Sequence, residues 1–574
     1  MIIGNSRETR GMLVRGLLPL SLAVVLLPAQ VTQDRLLNAS REPQNWLTYS
    51  GGYAGMRYSM LTQLNHDNVK NLKLKWVWRP RYFEKMEATP LVVDGILYTV
   101  QNSEVAAIDA ATGRIFWTFH YAVPPESNQY VMVVKGLAIS GDSLFWATYD
   151  GHLISIDART GIANWNKTLV DWHKGYQLNV APLVVKDKVI LGPATNEEGS
   201  NCWVAAYDVK TGKEAWRFYT APMAAEEPAA KTWAGESWKH GGSPIWVTGS
   251  YDPETNLTFW GTGNPNAGWN GDNRVGDDLY SDSVVALDAD TGKLKWYYQF
   301  TPHDEFDWDS VQVPVLANIE WQGKPRKAML WANRNGFFYV LDRTTGQFLL
   351  GKAFVKQNWN VGFDEGGRPI KSAALNPKPM GGPYVEPGTQ GGTNWYSPSF
   401  SPSTGLFYVS TWDNYGGPSG KGPIQEWTEG GKYTGNAARR PAATAGARGA
   451  AGAAGGAAGA AGRGGGRGAV IGYRTEEEGY GAVRAIDPRT GNKKWDFKMV
   501  DYTESGIVTT ASDLLFSGGK EGNFLALDAR TGELLWKTNL AGTIASGPIT
   551  YQANGRQYVA VCADNALFVF GLPE

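Results

Sequence analysis

Four oxygen-bearing side chains in this sequence, Glu197, Asn264, Asp307 and Asp309, are of the types that could hold a hard cation together. Glu197 follows a short apolar run in GPATNEEGSN, and Asn264 lies in the glycine-rich turn GTGNP. Asp307 and Asp309 flank Trp308 in TPHDEFDWDS, so an extended segment would turn both carboxylates the same way. Carboxylate and amide oxygens suit Ca²⁺ or a similar ion, whereas zinc sites are built mainly from nitrogen and sulfur. Read alone the signal is weak, because acidic residues in loops are usually solvated. Trp246, in GGSPIWV, reads either as a structural ring or as a stacking platform.

What must position these residues is a repeat. The phrase Ala-φ-Asp-x-x-Thr-Gly-x-x-x-Trp, with φ a bulky apolar residue, recurs in variant forms at Asp109–Trp117, Asp157–Trp165, Asp208–Trp216, Asp288–Trp296, Asp487–Trp495 and Asp528–Trp536. A degenerate copy at Asp342 keeps Thr345 and Gly346 but has Leu350 in place of the Trp. The Asp caps backbone N–H groups and the Gly supplies positive φ, which is turn chemistry. The Trp begins the next strand and can lie flat between neighbouring units, so these rings are structural. The fold class expected is all-β, an eight-bladed β-propeller with tryptophan-docking repeats. Successive Asp residues stand about 48, 51, 80, 54, 145 and 41 apart, against roughly 40 to 50 for a four-stranded blade. The interval of about 145 is read as two blades around an insert, and that of about 80 as one blade with long loops. LKLKWVW, near the start, can pair with the last blade and close the ring.

Composition agrees. The chain has 574 residues, 24 Trp and 70 Gly, with 19% charged residues and a net charge of −1, which offers nothing to a nucleic acid. Arg7, Arg10 and Arg15, followed by an apolar run from Gly16 to Pro28, read as an export signal over residues 1–30, too short to span a bilayer. Residues 31–574 are expected to form one propeller domain. The stretch 436–468, Ala, Gly and Arg with almost nothing bulky, is expected to be a flexible surface insert. Cys202 and Cys562 fit neither a disulfide framework nor a zinc site, and are expected to be two separate buried thiols. No Cys-x-x-Cys-His attaches a haem to this chain.

With the Trp repeat, GTGNP, TPHDEFDWD and NRNG occurring in that order, the chain resembles the pyrroloquinoline quinone (PQQ) dependent alcohol dehydrogenases over nearly its whole length after the leader. The resemblance implies that Trp246 forms one face of the slot for the flat quinone, and that Glu197, Asn264 and Asp307 lie at the metal. It implies Asp307 as the catalytic base, Arg334 on the quinone oxygens and Glu87 at the cofactor's polar edge. Asn394 and Trp395, in GGTNWYSP, resemble further cofactor contacts. An Asp two residues after the catalytic Asp resembles the lanthanide-dependent members. Asp309 would bring a third carboxylate to the ion, and a trivalent cation offsets that charge better than a divalent one. A lanthanide is therefore favoured over Ca²⁺.

The chain also departs from the family. Many members carry adjacent cysteines over the quinone, but the matching stretch has Gln129 and Tyr130, with Tyr130 a candidate cover. A family Arg appears as Lys135, which keeps the charge and loses the fork. A family hydroxyl residue appears as Asn179.

The expected function is oxidation of a primary or secondary alcohol to an aldehyde or ketone in the periplasm. A separate soluble cytochrome c would take the electrons. The competing readings are a PQQ-dependent sugar or polyol dehydrogenase and a degenerate, non-catalytic propeller. The preferred alcohol and the oligomeric state, a homodimer included, stay open.

Overall fold

A computed structural model describes residues 1, 31–127, 133–195, 197–379, 382–435, 479–499 and 501–573. The expected export signal, Gln129 and Tyr130, and the insert at 436–468 lie outside the described residues. Eight antiparallel sheets follow one another around a ring. Blades 1 to 7 occupy residues 91–120, 138–168, 183–219, 250–299, 315–353, 399–498 and 508–539. Blade 8 takes its first three strands from residues 549–571 and its outer strand from Lys73–Trp78, which pairs antiparallel with Ala566–Gly571. Both chain ends thus meet in one sheet, and the ring closes without a free edge there.

Within a blade the inner strands are buried on both faces and the outer strand is half in water. Glu104–Asp109 is buried over five of its six residues, whereas Ile115–His120 alternates between exposed and half-buried. The repeat joins these last two strands. Asp157 Oδ1 accepts from the amides of Arg159 (3.0 Å) and Thr160 (2.9 Å), and Gly161 turns the chain at φ +72°. The outer-strand Trp then docks on the repeat turn of the next blade. Trp117 Nε1 donates to the Ala158 carbonyl (3.1 Å), and a Cβ on Gly161 would stand 2.6 Å from the Trp117 ring. The same contact links Trp165 to Val209, Trp216 to Ala289, Trp495 to Ala529 and Trp76 to Ala110. Glycine is required here twice, by φ and by the ring lying on it.

The blade number agrees with expectation, but the count behind it needs correcting. The interval from Asp342 to Asp487 is one blade step, not two. Blade 6 contains the whole insert between its strands Leu406–Asp413 and Tyr480–Asp487. The eighth blade carries no Asp-x-x-Thr-Gly turn, because that turn joins the third and outer strands, and in the closing blade these come from opposite ends of the chain. Only its Trp, Trp76, survives.

In each blade the first-to-second and third-to-outer turns lie at one end of the sheet. Second-to-third loops and blade-to-blade connections lie at the other. Residues 31–60 cross the structure: Val31 bridges to Gly141, and Tyr58–Ser59 pairs parallel with Val508–Thr510. Arg57, fully buried, donates to the carbonyls of Tyr49, Ile507 and Pro548. Cys202 and Cys562 are buried and unbridged, as expected, and burial raises the Cys562 thiol to about 12. No helix among the described residues is long and apolar enough to cross a membrane.

Candidate active site

Every candidate site residue described in the structure lies at the second of these two ends. Glu87, Lys135, Asn179, Trp246, Asp307, Asp309, Asn394 and Trp395 sit on blade-to-blade connections. Glu197, Asn264 and Arg334 sit between the second and third strands of blades 3, 4 and 5.

Two clusters form. In the first, Arg334 spans both aspartates: Nη1 is 2.7 Å from Asp309 Oδ2 and Nη2 is 3.3 Å from Asp307 Oδ2. Its Nε donates to the Thr389 carbonyl (2.9 Å). Asp309 Oδ1 accepts from the Asn264 amide (2.7 Å), which ties the blade 4 loop to the connection after it. Asp309 is therefore buried and paired rather than solvated. The convergence of the two carboxylates does not come from an extended segment, as the alternation suggested. Asp307 has φ +62°, a left-handed backbone that a non-glycine residue adopts at a cost of order 1–3 kcal/mol. Glu197 is held likewise at φ +68°.

A residue missed in the sequence fixes that turn. Asp304 accepts from the amides of Phe306 (3.0 Å) and Trp308 (2.9 Å), the short-range pattern of an Asp organising its own loop. Trp308 is fully buried and donates to the Gly388 carbonyl (3.0 Å). Burial drives the Asp307 carboxyl well above the usual range. Arg334 opposes this, and the negative charges of Asp309, Glu197 and Asp304 add to it. Burial likewise lifts Asp304 to about 6. Asp282, another residue passed over, is fully buried with neither carboxylate oxygen hydrogen-bonded.

The second cluster surrounds Trp246 and Trp395. The Lys135 ammonium stands 3.4 Å from the Trp395 ring centre and 5.4 Å from that of Trp246, and pairs closely with Glu87. Lys85 and Glu504, neither evident in the sequence, complete the set: Lys85 Nζ lies 3.1 Å from Glu87 and 2.8 Å from Glu504. Burial alone would raise the Glu87 carboxyl, but Lys135 and Lys85 outweigh it and hold it below its ordinary value. Asn179 gives its backbone carbonyl to the Lys135 amide (2.9 Å), while its buried Oδ1 has no hydrogen-bond partner. Asn394 folds back on Gln390 and on the Trp395 amide.

A family profile described as the glucose/ethanol/alcohol dehydrogenase β-propeller domain matches residues 46–352. The quinoprotein alcohol dehydrogenase PedH of Pseudomonas putida is 36% identical over 93% of this chain and 88% of the relative. The chain belongs to the PQQ-dependent alcohol dehydrogenases. The lanthanide-dependent methanol dehydrogenase of Methylacidiphilum fumariolicum is 33% identical to this dehydrogenase, over 92% of it and 86% of the relative. The crystal structure of the quinohemoprotein alcohol dehydrogenase from Comamonas testosteroni superposes with a TM-score of 0.82 at 32% identity, covering 95% of this chain and 84% of that one. A europium-containing methanol dehydrogenase gives 0.80 at 30% identity, covering 94% and 100%. A second profile, that of the outer membrane protein assembly factor BamB, matches residues 479–570, the repeat of the last blades.

The residues of the dehydrogenase fit the groups its family uses. An excess of buried carboxylates against one guanidinium, with Asp307 driven toward its neutral form, is an environment that a cation relieves. As the side chains stand, no three acidic, imidazole or thiol groups among the described residues converge closely enough to hold an ion, since Asp309 is turned onto Arg334 and the Asn264 amide. The indole pair and the two ammonium groups fit a flat, multiply anionic quinone, whereas the unpartnered Asn179 Oδ1, an acceptor, suits only a donor.

Proposed function

We propose that this dehydrogenase oxidises alcohols to aldehydes or ketones with Asp307 as the base, and that its metal is a lanthanide in preference to Ca²⁺. The observation that carries the reading is the convergence of Asp307 and Asp309 on Arg334. Bound PQQ would supply the two-electron, hydride-accepting group, and a bound cation the Lewis acidity that polarises it. Glu197, Asn264, Asp307 and Asp309 would hold the cation. Glu197 and Asn264 come from second-to-third-strand loops, and Asp307 from a turn in which Asp304 accepts from the Phe306 and Trp308 amides.

Asp307 takes the proton of the alcohol hydroxyl on its carboxylate, which requires it to be ionised. Arg334 supports that state, because its charge is the leading influence against protonation. Trp246, Trp395 and Asn394 would flank the cofactor, while Glu87, Lys135 and Asn179 would meet its polar edge. The buried connections around them exclude water from the ring.

Export through residues 1–30 would place the enzyme in the periplasm, with a separate soluble cytochrome c receiving the electrons. The test is alcohol-dependent dye reduction by the Asp307→Asn protein, reconstituted alongside the wild type.

A further inference from the structure

Four charged side chains, alternating in sign, join three connections at the end of the ring that carries the candidate site: Glu504, Lys85, Glu87 and Lys135. Lys85 and Glu87 lie between the outer strand of blade 8 and blade 1, Lys135 between blades 1 and 2, and Glu504 between blades 6 and 7. The Lys85 ammonium takes one oxygen from each neighbour, Glu504 Oε2 at 2.8 Å and Glu87 Oε1 at 3.1 Å. The other oxygen of Glu87, Oε2, is paired with Lys135. The backbone beneath is fixed at each point. The Met86 amide donates to the Asp564 carbonyl (2.6 Å), the Thr89 amide to the Lys135 carbonyl (2.9 Å), and the Thr503 hydroxyl to the Gly518 carbonyl (2.6 Å). Glu504, Glu87 and Lys135 are buried, whereas the Lys85 side chain is 28% exposed, so it can be replaced without opening a cavity.

Charge in this set is evenly matched, two ammoniums against two carboxylates. Lys135 has one ammonium for two tasks. It answers Glu87, and it also stands against both rings of the proposed quinone slot, 3.4 Å from the centre of Trp395 and 5.4 Å from that of Trp246. The guanidinium fork of an arginine could serve two acceptors at once, whereas a lysine presents a point charge. A carboxylate left buried without a counter-charge is strongly disfavoured. For Lys135 to turn toward an anionic cofactor, Glu87 needs a second cation, and Lys85 is placed to be that cation. Glu504 acts in the opposite sense, because it competes for Lys85 and adds a buried negative charge to the set.

We propose that Lys85 and Glu504 are a positioning pair for the cofactor: Lys85 holds Glu87 so that Lys135 is free to meet the anionic edge of the quinone, and Glu504 limits how far it is freed. The inference rests on the reading of Lys135, Trp246 and Trp395 as cofactor contacts and adds two residues that act through them. A mere brace and a charge relay make different demands. Removing either partner breaks the same ion pair, so a brace would respond alike to both removals. A relay responds with opposite signs, since one removal takes away a positive charge and the other a negative one.

The experiment titrates PQQ into the full-length apo-protein with La³⁺ or Ca²⁺ present, read by quenching of tryptophan fluorescence, with a melting curve to show that each variant is folded. Wild type is compared with Lys85→Met, Lys85→Arg, Glu504→Gln and the double variant Lys85→Met/Glu504→Gln. Lys85→Met should weaken PQQ binding by about tenfold or more, whereas Glu504→Gln should tighten it by about threefold. Lys85→Arg should stay within about threefold of wild type, and the double variant should recover most of what Lys85→Met loses. Shifts of the same sign in Lys85→Met and Glu504→Gln would make the pair a structural brace and overturn the proposal. So would a folded Lys85→Met protein that binds PQQ like wild type. Should Lys85→Met fail to fold, Glu504→Gln decides alone: tighter binding supports the proposal, and weaker or unchanged binding overturns it. A wild type that takes up no PQQ with either ion would sink the cofactor reading itself, and the proposal with it.

Discussion

The guanidinium of Arg334 bridges Asp309 at 2.7 Å and Asp307 at 3.3 Å, joining the two carboxylates on which the chemistry of this dehydrogenase is proposed to turn. All three groups are largely or wholly buried, with side-chain exposures of 6% for Arg334, 15% for Asp307 and 10% for Asp309. Removing the guanidinium leaves two buried carboxylates facing each other, and breaking such a pair costs about 3–5 kcal/mol. Arg334→Ala is therefore expected to lower the melting temperature of the apo-protein sharply, with partial recovery when a cation is added. A melting temperature within one or two degrees of wild type would show that the bridge carries no stability.

Asp307→Asn keeps the shape of the side chain and removes the base. Alcohol-dependent dye reduction should fall by about 10²–10⁴-fold, the usual contribution of a general base. PQQ retained on the variant, seen by its absorbance, would separate lost chemistry from lost cofactor. Turnover at the wild-type level would remove Asp307 from the mechanism.

Asp309→Ala removes one carboxylate from the proposed ion site. Activity reconstituted with La³⁺ should drop more than activity reconstituted with Ca²⁺, because the trivalent ion depends more on the third negative charge. Equal losses with both ions would mean that Asp309 acts through Arg334 and the Asn264 amide rather than on metal choice.

Asp282 gives a pH signature. Burial, then Asp304 and Asp309, drive its carboxyl well above the usual range against the pull of Arg274. The folded protein therefore keeps a proton that the unfolded chain releases near pH 4, and apo-protein stability falls as pH rises above that point. Asp282→Asn should melt higher than wild type at pH 8 and about equal to it at pH 4. A gap of the same size at both pH values would show that the buried charge is not the cause.

The propeller was legible because its determinants are local. Asp, Gly and Trp of one repeat make a turn and a docking ring within nine residues, and the pattern recurs. The eighth blade escaped the count because closure separates Gly571 from Lys73, and no local phrase survives that split. The proposed metal ligands Glu197, Asn264, Asp307 and Asp309 were visible as departures from the repeat, although the left-handed backbone of Asp307 was not. Asp304 left a signal, an Asp two and four residues before the amides it caps, that was passed over. Lys85 and Glu504 left none: they stand 419 positions apart in sequence and meet only once the ring has closed.

The most direct test of the central claim is reconstitution of the purified apo-protein with PQQ and either La³⁺ or Ca²⁺, following dye reduction with a panel of alcohols and the absorbance of bound quinone. The account predicts bound PQQ and alcohol-dependent turnover, higher with La³⁺ than with Ca²⁺. Turnover with Ca²⁺ alone would contradict the metal assignment, and a protein that takes up no PQQ with either ion would contradict the catalytic reading itself.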